Sequence, residues 1–469
     1  MPQPSLSHNP GSAFSPGTAR PPRSTPFPLL LAGLFLAGAA PLWAMDWSRG
    51  RAACDQYDYH LKVILKFAGE LPHPYLGDYL SATTPGYHLL LALFARYAGF
   101  GPLALQILAS AFTMLLVWLV ARAVERFGAG RLRWMEVVAL SLPVVASPYV
   151  FTSGVWLLPD NAGWLLTLAI LLLSLSSLAR PRMYALFAGL LLLAVLVRQN
   201  SLWVAAPFVG AAWLTTTGDE EGCLASAVRE PRRRIGPVLH ALIACIPAVA
   251  AIAYFVHLWH GLTPPHFQAQ HNGANPATPG FILALVAVFS PFFIGWWWPG
   301  LVRLWRGAKW TIFAAMGVGL AAAAIPVTTY LYEPRATGLW QLVLAMEKRN
   351  IAYVGGRTSI LILALATMGG PMLAAWLAVV DGKRRWIMAG ALAAFVAAQT
   401  ANANCWQRYH EPLLLMLFAI IAAGAARSTP RGWMVRAARI VGPVVLAALL
   451  VLITIYGLQT GRDPTSPNP

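Results

Sequence analysis

Two carboxylates and an imidazole lie close together in the segment Cys54-Asp55-Gln56-Tyr57-Asp58-Tyr59-His60. Asp55 and Asp58 are three residues apart, a spacing that places two side chains on one face of an α-helix. Two neighbouring carboxylates in a site of low dielectric constant favour proton uptake by one of them. The segment therefore predicts an acid/base centre in which Asp55 or Asp58 is the general base and His60 assists. In a purely structural alternative, Asp55 caps the helix and Asp58 pairs with Lys62.

Two arginines that lie beside polar residues are candidates for binding a phosphate group. Arg198 and Arg408 fall on the face of the chain where short loops should carry little positive charge, so they are not explained as orientation signals. A guanidinium group can donate two parallel hydrogen bonds to phosphate oxygens. The structural alternative is an ion pair of either arginine with Glu411 or Asp160.

Other polar residues on the same predicted face extend this candidate site. Further candidates for a phosphate are His410, Arg349 and Arg357, although the last two could instead anchor the chain to lipid headgroups. Candidates for contacts to a sugar or to the acceptor are Asp160, Gln199, Asn200, His266, His271, Tyr409 and Glu411. His266 and His271 are five residues apart, a poor spacing for two metal ligands on one helix, so no metal site is predicted and a divalent ion is not favoured.

The composition indicates which elements must position these residues. Hydrophobic residues make up 58% of the 469 residues, charged residues only 11%, and the mean hydropathy is +0.60. A soluble protein has about 25% charged residues, so the chain is predicted to be an all-α polytopic membrane protein. The net charge of +17 comes from short clusters between apolar runs, which argues against a nucleic-acid partner.

Apolar runs divide the chain into about thirteen predicted transmembrane helices. The predicted spans are residues 29–44, 101–121, 135–150, 162–178, 183–197, 201–215, 237–258, 280–300, 310–330, 358–380, 387–403, 411–425 and 438–457. The first span could instead be a cleaved signal peptide. The predicted organisation is a disordered cytoplasmic tail (1–28), an N-terminal transmembrane module (29–215) whose outer loop 45–100 carries surface helices, a basic cytoplasmic loop (216–236), a C-terminal transmembrane module (237–457) and a tail (458–469).

Every second loop is rich in Arg or Lys, as expected for cytoplasmic loops. The chemically capable residues fall in the opposite set of loops, so the candidate site is predicted on the non-cytoplasmic face. Cys54 and Cys405 adjoin two of its segments, and an oxidising compartment would allow them to form a disulfide. Trp43 and Trp296-Trp297-Trp298 are expected in the interfacial aromatic belt.

Four short segments resemble one family of membrane glycosyltransferases. Asp160-Asn161-Ala162-Gly163 and Val197-Arg198-Gln199-Asn200-Ser201-Leu202-Trp203 are similar to the acidic turn and the Arg-Gln-Thr-Asn-Ile-x-Trp motif of the alpha-1,2-glucosyltransferases that add the last glucose to dolichol-linked oligosaccharide. Asp55 to His60 and Thr83-Thr84-Pro85-Gly86 resemble that family's acidic-His motif and Thr-Thr-Pro-Pro-Gly turn. The spacing of these elements agrees over about residues 45 to 215.

Beyond that region the resemblance is confined to His266 and His271, the stretch 349–357, and Arg408-Tyr409. This chain has Asp55-Gln56-Tyr57-Asp58-Tyr59-His60 where the family has Asp-Glu-x-x-His, and Pro85-Gly86 where it has Pro-Pro-Gly. Either Asp could therefore correspond to the family's acidic residues. The tail composition and the lack of long polar inserts are typical of bacterial proteins, which favours undecaprenyl over dolichol carriers.

The resemblance implies the GT-C class, whose members are inverting transferases that use polyprenyl-phosphate sugars at a site open to the non-cytoplasmic side. Together with the bacterial composition, it predicts transfer of a glucose-like hexose by a multi-pass protein of the bacterial inner membrane whose site faces the periplasm. The family's own acceptor is not carried over, and the predicted acceptor is a lipid-linked or envelope glycan. The partners would be the donor, the glycan acceptor and membrane lipids. The alternative is a lipid or glycan transporter or flippase, but the chain shows no internal repeat and its polar groups gather at one face rather than at the midplane.

Overall fold

The computed structural model describes residues 26–128, 130–176, 181–215, 229, 231–328, 338–349, 353–380, 382–426 and 432–461. Several sequence-based expectations lie outside these residues. They concern the tail up to residue 25, most of the basic loop 216–236, the residues from 462 onward, Arg180, Cys223, Arg427 and Arg431.

The described secondary-structure elements of the N-terminal half are all helices. Its elements are α1 (Phe27–Ala44), α2 (Arg51–Asp55), a π-helix (Gln56–His60), α3 (Leu61–Glu70), α4 (Gly86–Tyr97), α5 (Pro102–Gly128), α6 (Trp134–Ala146), α7 (Pro148–Val155), α8 (Asp160–Ser174), α9 (Pro181–Val197), a 3-10 helix (Gln199–Val204) and α10 (Ala205–Trp213). The predicted outer loop 45–100 thus carries α2, the π-helix, α3 and α4.

The C-terminal half contains helices and one short hairpin that the sequence does not predict. Its elements are α11 (Arg232–Trp259), α12 (Pro265–His271), α13 (Thr278–Phe289), a 3-10 helix (Ser290–Phe293), α14 (Ile294–Gly307), α15 (Lys309–Ala324), α16 (Leu339–Lys348), β1 (Tyr353–Val354), β2 (Thr358–Ser359), α17 (Ile360–Ala378), α18 (Gly382–Thr400), a 3-10 helix (Gln407–Tyr409), α19 (Glu411–Ala425) and α20 (Trp433–Thr460). The two strands are antiparallel, with Tyr353 opposite Ser359. Gly355 and Gly356 form the turn with positive φ angles.

Six described segments are long and apolar enough to cross a membrane: α1, α5, α11, the run Thr278–Gly307, α17 and α20. Helices α6 and α7 would count as a seventh span, bent by 65° at Ser147. Four apolar helices, α8, α9, α15 and α19, are shorter, with 15 to 17 residues each, below the usual length of a transmembrane helix. The structure is that of an integral membrane protein, while the count of about thirteen spans stays a prediction.

Helix α19 lies in the centre of the protein. Every residue from Glu411 to Ala425 except Gly424 is buried, as expected for a helix that is apolar on all sides. The helix packs against α5 and α6. The short 3-10 helix that carries Arg408 and Tyr409 leads directly into it, so this central helix provides a rigid support for two candidate site residues.

Helix α17 packs against α13 and α15 through glycines. A Cβ atom at Gly369 would overlap the carbonyl oxygen of Leu283, and one at Gly370 would overlap that of Ala315. Small residues at such positions let helix backbones approach closely within a membrane. The three helices therefore depend on the absence of a side chain at these two positions.

Gly369→Ala should destabilise the protein by about 1–3 kcal/mol, the usual cost of overpacking a tight contact. Gly317→Ala is the matched control, because a Cβ atom there, on α15, meets no atom within 4 Å. We expect the control to be neutral or slightly stabilising, since alanine favours helix over glycine. Thermal unfolding of the purified variants in detergent checks this, and equal midpoints would contradict the close packing at Gly369.

Candidate active site

The π-helix Gln56–His60 is the element that presents the acidic segment. Such turns are rare and occur frequently at functional sites. Gln56 is fully buried, and its Oε1 accepts hydrogen bonds from Nε2 of Gln106 at 2.8 Å and from the backbone N–H of Leu157 at 2.9 Å. These bonds hold the turn against α5 and against the residues that lead into α8.

The π-helix places Asp55 and Asp58 in different surroundings, because its turns contain more residues than the α-helical turns assumed from the spacing. Asp55 is half-buried and faces the C-terminal half of the chain, whereas Asp58 is exposed. Neither structural alternative for the two acids is observed: Asp55 makes no capping hydrogen bond, and no ion pair joins Asp58 to Lys62 among the described residues.

Asp55 forms an ion pair with Arg408, a residue 353 positions further along the chain. Nη1 of Arg408 donates to Oδ2 of Asp55 at 2.7 Å, and the two side chains are 25% and 20% exposed. The guanidinium carbon of Arg408 also lies 4.6 Å from the ring centroid of Trp406 and 5.2 Å from that of Tyr409. Asp55, in the segment 45–100, and the arginine before α19 thus share one half-buried location.

A second ion pair lies beside the first. Nη2 of Arg198 is 2.8 Å from Oδ1 of Asp160, and these side chains are 13% and 9% exposed. The guanidinium carbon of Arg198 lies 5.3 Å from the ring centroid of Tyr409. The two pairs therefore meet at Tyr409, and we name Asp55, Arg408, Asp160, Arg198 and Tyr409 the paired-charge cluster.

Both arginines of the paired-charge cluster retain an unused hydrogen-bond donor. The Nε–H groups of Arg198 and Arg408 are buried and have no hydrogen-bond partner among the described residues. Buried donors are nearly always satisfied in folded proteins, so two unsatisfied ones in one site call for an explanation such as a ligand. Oxygen atoms of an anion are the acceptors that suit them best.

A turn in the outer loop fixes the position of Arg198. Oε1 of Gln199 accepts from the backbone N–H of Thr84 at 3.1 Å, and Nε2 of Gln199 donates to the carbonyl of Ala82 at 2.8 Å. A Cβ atom at Gly86 would lie 2.6 Å from the carbonyl oxygen of Leu196, so only glycine allows this approach. Gln199, a candidate for substrate contact, thus ties two loops together.

His60 lies close to the paired-charge cluster and packs against His88. Nδ1 of His60 is 2.9 Å from Nε2 of His88, and the rings are stacked with centroids 5.2 Å apart. Nδ1 of His88 is buried without a partner, and a buried N–H without an acceptor is rarer than an unused acceptor. This favours a proton on Nε2 of His88, which then donates to His60 and leaves the proton of His60 on its own Nε2.

Burial, together with the positive charges of Arg408 and Arg198, lowers the pKa of His60 from 6.5 to about 3. The native state therefore keeps His60 neutral, while the unfolded chain takes up a proton below about pH 6.5. Stability should consequently fall as the pH decreases from 6.5 toward 3.

The wild-type unfolding temperature should therefore be lower at about pH 5 than at about pH 7.5, and His60→Gln should make this difference smaller. His73→Gln, at an exposed position of the same loop, should leave the difference unchanged. Identical pH dependence in the His60 variant would contradict this assignment.

Comparison with known proteins leaves the function to be argued from this geometry. No family model matches the sequence, and no curated protein does. ArnT from Cupriavidus metallidurans bound to undecaprenyl phosphate is similar at 14% identity, with 90% of this chain and 77% of that chain covered and a TM-score of 0.35. The apo state of the same protein gives 14% identity, 91% and 78% coverage and a TM-score of 0.29. Scores this low carry no inference about fold or activity.

The two candidate histidines of α12 lie at opposite ends of that helix. Nδ1 of His271 is 3.2 Å from Nδ2 of Asn404, and its ring is 6.2 Å from that of Trp406, which stacks under Arg408. His266 is exposed, and its backbone N–H donates to Oδ1 of Asp78 at 3.2 Å. His271 therefore borders the paired-charge cluster, and His266 faces the loop of Asp78.

His410 and Glu411 are fully buried below the paired-charge cluster. Glu411 accepts hydrogen bonds from Ser147 Oγ at 2.6 Å and from Gln407 Nε2 at 2.7 Å. Nε2 of His410 lies 3.5 Å from Sγ of Cys405. Both side chains thus support the turn that carries Arg408, and neither exposes surface to a ligand in this conformation.

The structure does not contain the disulfide suggested for the oxidising compartment, because Cys54 and Cys405 are not bonded to each other. The reason is local packing, because Cys405 is buried beside His410 and Trp340 donates its indole N–H to the Cys405 carbonyl at 2.7 Å. Burial also raises the pKa of the Cys405 thiol to about 12. Its sulfur is therefore turned into the core as a protonated, unreactive group.

The remaining candidates lie apart from the paired-charge cluster or make no described contact with it. Arg349 is exposed after α16, and Arg357 is exposed at the tip of the hairpin, where its carbonyl accepts from the N–H of Thr328. Neither forms an ion pair with the cluster among the described residues. Asn200 is half-buried in the 3-10 helix after Arg198. Within the described ranges no three His, Cys, Asp or Glu residues form a group suited to a metal.

Four residues of the site escaped sequence reasoning: Gln56, His88, Asn404 and Trp406. His88 follows the Thr-Thr-Pro-Gly turn directly, and Trp406 precedes Arg408 by two residues, so proximity to a motif was the available signal. Gln56 and Asn404 hold backbone from distant segments. Such roles depend on tertiary contacts and leave no local pattern.

Proposed function

We propose that this protein is an inverting glycosyltransferase that moves a glucose-like hexose from a polyprenyl-phosphate sugar to a hydroxyl group of a lipid-linked or envelope glycan. The reaction would occur at the non-cytoplasmic face, in bacteria the periplasmic face of the inner membrane. The observation that carries the proposal is the paired-charge cluster, in which a half-buried acid adjoins two guanidinium groups with unused buried donors.

In the proposed reaction Asp55 accepts the proton of the acceptor hydroxyl while the oxygen of that hydroxyl attacks the anomeric carbon of the donor sugar. The bond between that carbon and the phosphate oxygen breaks, and the electron pair leaves with the polyprenyl phosphate. Arg408 and Arg198 stabilise the negative charge that develops on this leaving group. Tyr409 lies between the two guanidinium groups, and neutral His60 supplies a hydrogen-bond donor from Nε2 near the same location.

The resting ion pairs connect donor binding with activation of the base. In the structure Arg408 is engaged by Asp55 at 2.7 Å and Arg198 by Asp160 at 2.8 Å. A donor phosphate that binds both guanidinium groups would compete with these carboxylates. Release of Asp55 from Arg408 would then free its oxygen to accept a proton, so the base acts only when the donor is present.

The proposal is tested by incubating the purified full chain with labelled polyprenyl-phosphate hexoses and extracted membrane glycolipids. Transfer of label to a glycolipid, with inversion at the anomeric carbon, is the expected result. A vesicle assay on the same preparation measures whether the labelled lipid moves between leaflets. Movement of the lipid without transfer of its sugar would overturn the proposal and support the transporter alternative.

A further inference from the structure

A cavity of about 280 Å³ lies outside the paired-charge cluster, between α3, the loop before α4 and α12. Lys62 and Lys66 line it from α3, Asp78 and Tyr79 from the loop, and His266 from the first turn of α12. The volume suits a single polar group with part of its attached chain, at the lower end of ligand-pocket sizes.

The walls of this cavity are held in place by buried contacts. The hydroxyl of Tyr79 donates to the Thr83 carbonyl at 2.7 Å, and its ring packs edge-on against Phe67 and Trp259. The indole N–H of Trp259 donates to the Leu76 carbonyl at 2.8 Å. The cavity is therefore formed before any ligand arrives.

The cavity carries a surplus of positive charge. Lys66 donates to the Asp78 backbone carbonyl at 3.1 Å, while the Asp78 carboxylate accepts from the backbone N–H of His266. Lys62 forms no ion pair with a described residue. Two ammonium groups thus face one carboxylate that is already used by the start of α12, which favours an anionic ligand. Lysine binds phosphate as a point charge without strict geometry.

The distance to the paired-charge cluster indicates which substrate such a phosphate belongs to. Helix α12 begins next to the cavity at Pro265 and ends at His271, beside Trp406 and Arg408. Seven residues of α-helix span about 10 Å. The donor phosphate is bonded directly to the anomeric carbon and must lie at the reaction centre, so a phosphate about 10 Å away belongs to the other substrate.

We propose that this cavity binds a phosphate group of the acceptor, which is therefore a phosphorylated glycan or glycolipid. The inference rests on the proposed glycosyltransferase function and specifies the acceptor class for it. Lys62 and Lys66 would fix the acceptor so that its hydroxyl reaches Asp55, which precedes the two lysines by seven and eleven residues, about two to three helical turns.

The test measures binding separately from transfer. Purified full-length protein is titrated, without donor, with a phosphorylated hexose and with the same sugar after phosphatase treatment. The wild type should bind the phosphorylated sugar, and Lys62→Met and Lys66→Met should each weaken that binding by roughly tenfold. Lys309→Met is the matched control, since Lys309 is exposed next to Trp310, outside the cavity.

In the transfer assay the lysine variants should raise KM for a phosphorylated acceptor and leave kcat nearly unchanged. Equal binding of the phosphorylated and phosphatase-treated sugars would overturn the inference even if transfer is observed. A second arm uses nanodiscs of phosphatidylcholine with and without phosphatidylglycerol. If Lys62→Met and Lys66→Met weaken only the interaction with phosphatidylglycerol, and not the binding of the phosphorylated sugar, the cavity binds a membrane headgroup. That result would also overturn the inference.

Discussion

Replacing Asp55 by Asn should reduce the rate of sugar transfer by roughly 10²–10⁴-fold, the usual contribution of a general base. Asparagine keeps the size of the side chain and an oxygen that can accept from Arg408, but it cannot take a proton. Initial rates with a labelled polyprenyl-phosphate hexose measure the effect. The matched control is Glu125→Gln, which removes a carboxylate from a similarly half-buried ion pair with Arg122, outside the paired-charge cluster, and should leave the rate unchanged.

The same assay decides between the two acids of the segment. Asp58 is exposed and forms no ion pair with a described residue, so Asp58→Asn should reduce the rate far less than Asp55→Asn. The reverse order would move the role of base to Asp58. Full transfer by both variants would remove the acid/base mechanism altogether.

Arg408→Gln should lower the rate by roughly 10²–10³-fold, because it removes one cation that meets the charge on the departing phosphate. Arg408→Lys should restore only part of the activity, since an ammonium group cannot reproduce the two parallel hydrogen bonds of a guanidinium. Arg122→Gln, at a half-buried ion pair outside the paired-charge cluster, serves as the control. A fully active lysine variant would show that charge alone suffices at this position.

Removal of Arg408 also leaves Asp55 half-buried without its partner, so loss of stability must be separated from loss of chemistry. The exchanged pair, Asp55→Arg with Arg408→Asp, restores opposite charges at the same two positions. Its unfolding temperature should lie above those of both single variants, because contacting residues couple. Its transfer rate should stay low, since the acid and the cation have changed places. Recovery of both properties would assign the ion pair a structural role only.

The motifs predicted the approximate composition of the site, and tertiary packing determined its details. The sequence analysis expected Asp55, Arg198 and Arg408 in one place, because all three are charged groups at one predicted membrane face. The structure brings these distant residues together. The ion pair of Arg198 with Asp160 is among the structural alternatives that the sequence suggested. The pairing of Arg408 with Asp55 was not foreseen, because it needs the fold of the whole chain.

Local geometry accounts for the predictions that differ from the structure. Spacing of three residues implies a shared face only in an α-helix, and the π-helix at Gln56–His60 separates the surroundings of Asp55 and Asp58. Hydropathy finds apolar runs but not breaks, so the 65° bend at Ser147 between α6 and α7 was missed. Cysteine position in the sequence gave no information on the direction of the Cys405 sulfur, which points into the core.

The Asp55–Arg408 pair has a consequence for biosynthesis. Its two members are separated by 353 residues, and at about 5–20 residues per second the ribosome needs roughly 20 to 70 s to make the intervening chain. Throughout that time the acid of the outer loop has emerged without its cation. If the proposed mechanism holds, a nascent or truncated chain that lacks Arg408 should transfer sugar poorly, so full activity requires synthesis beyond residue 408.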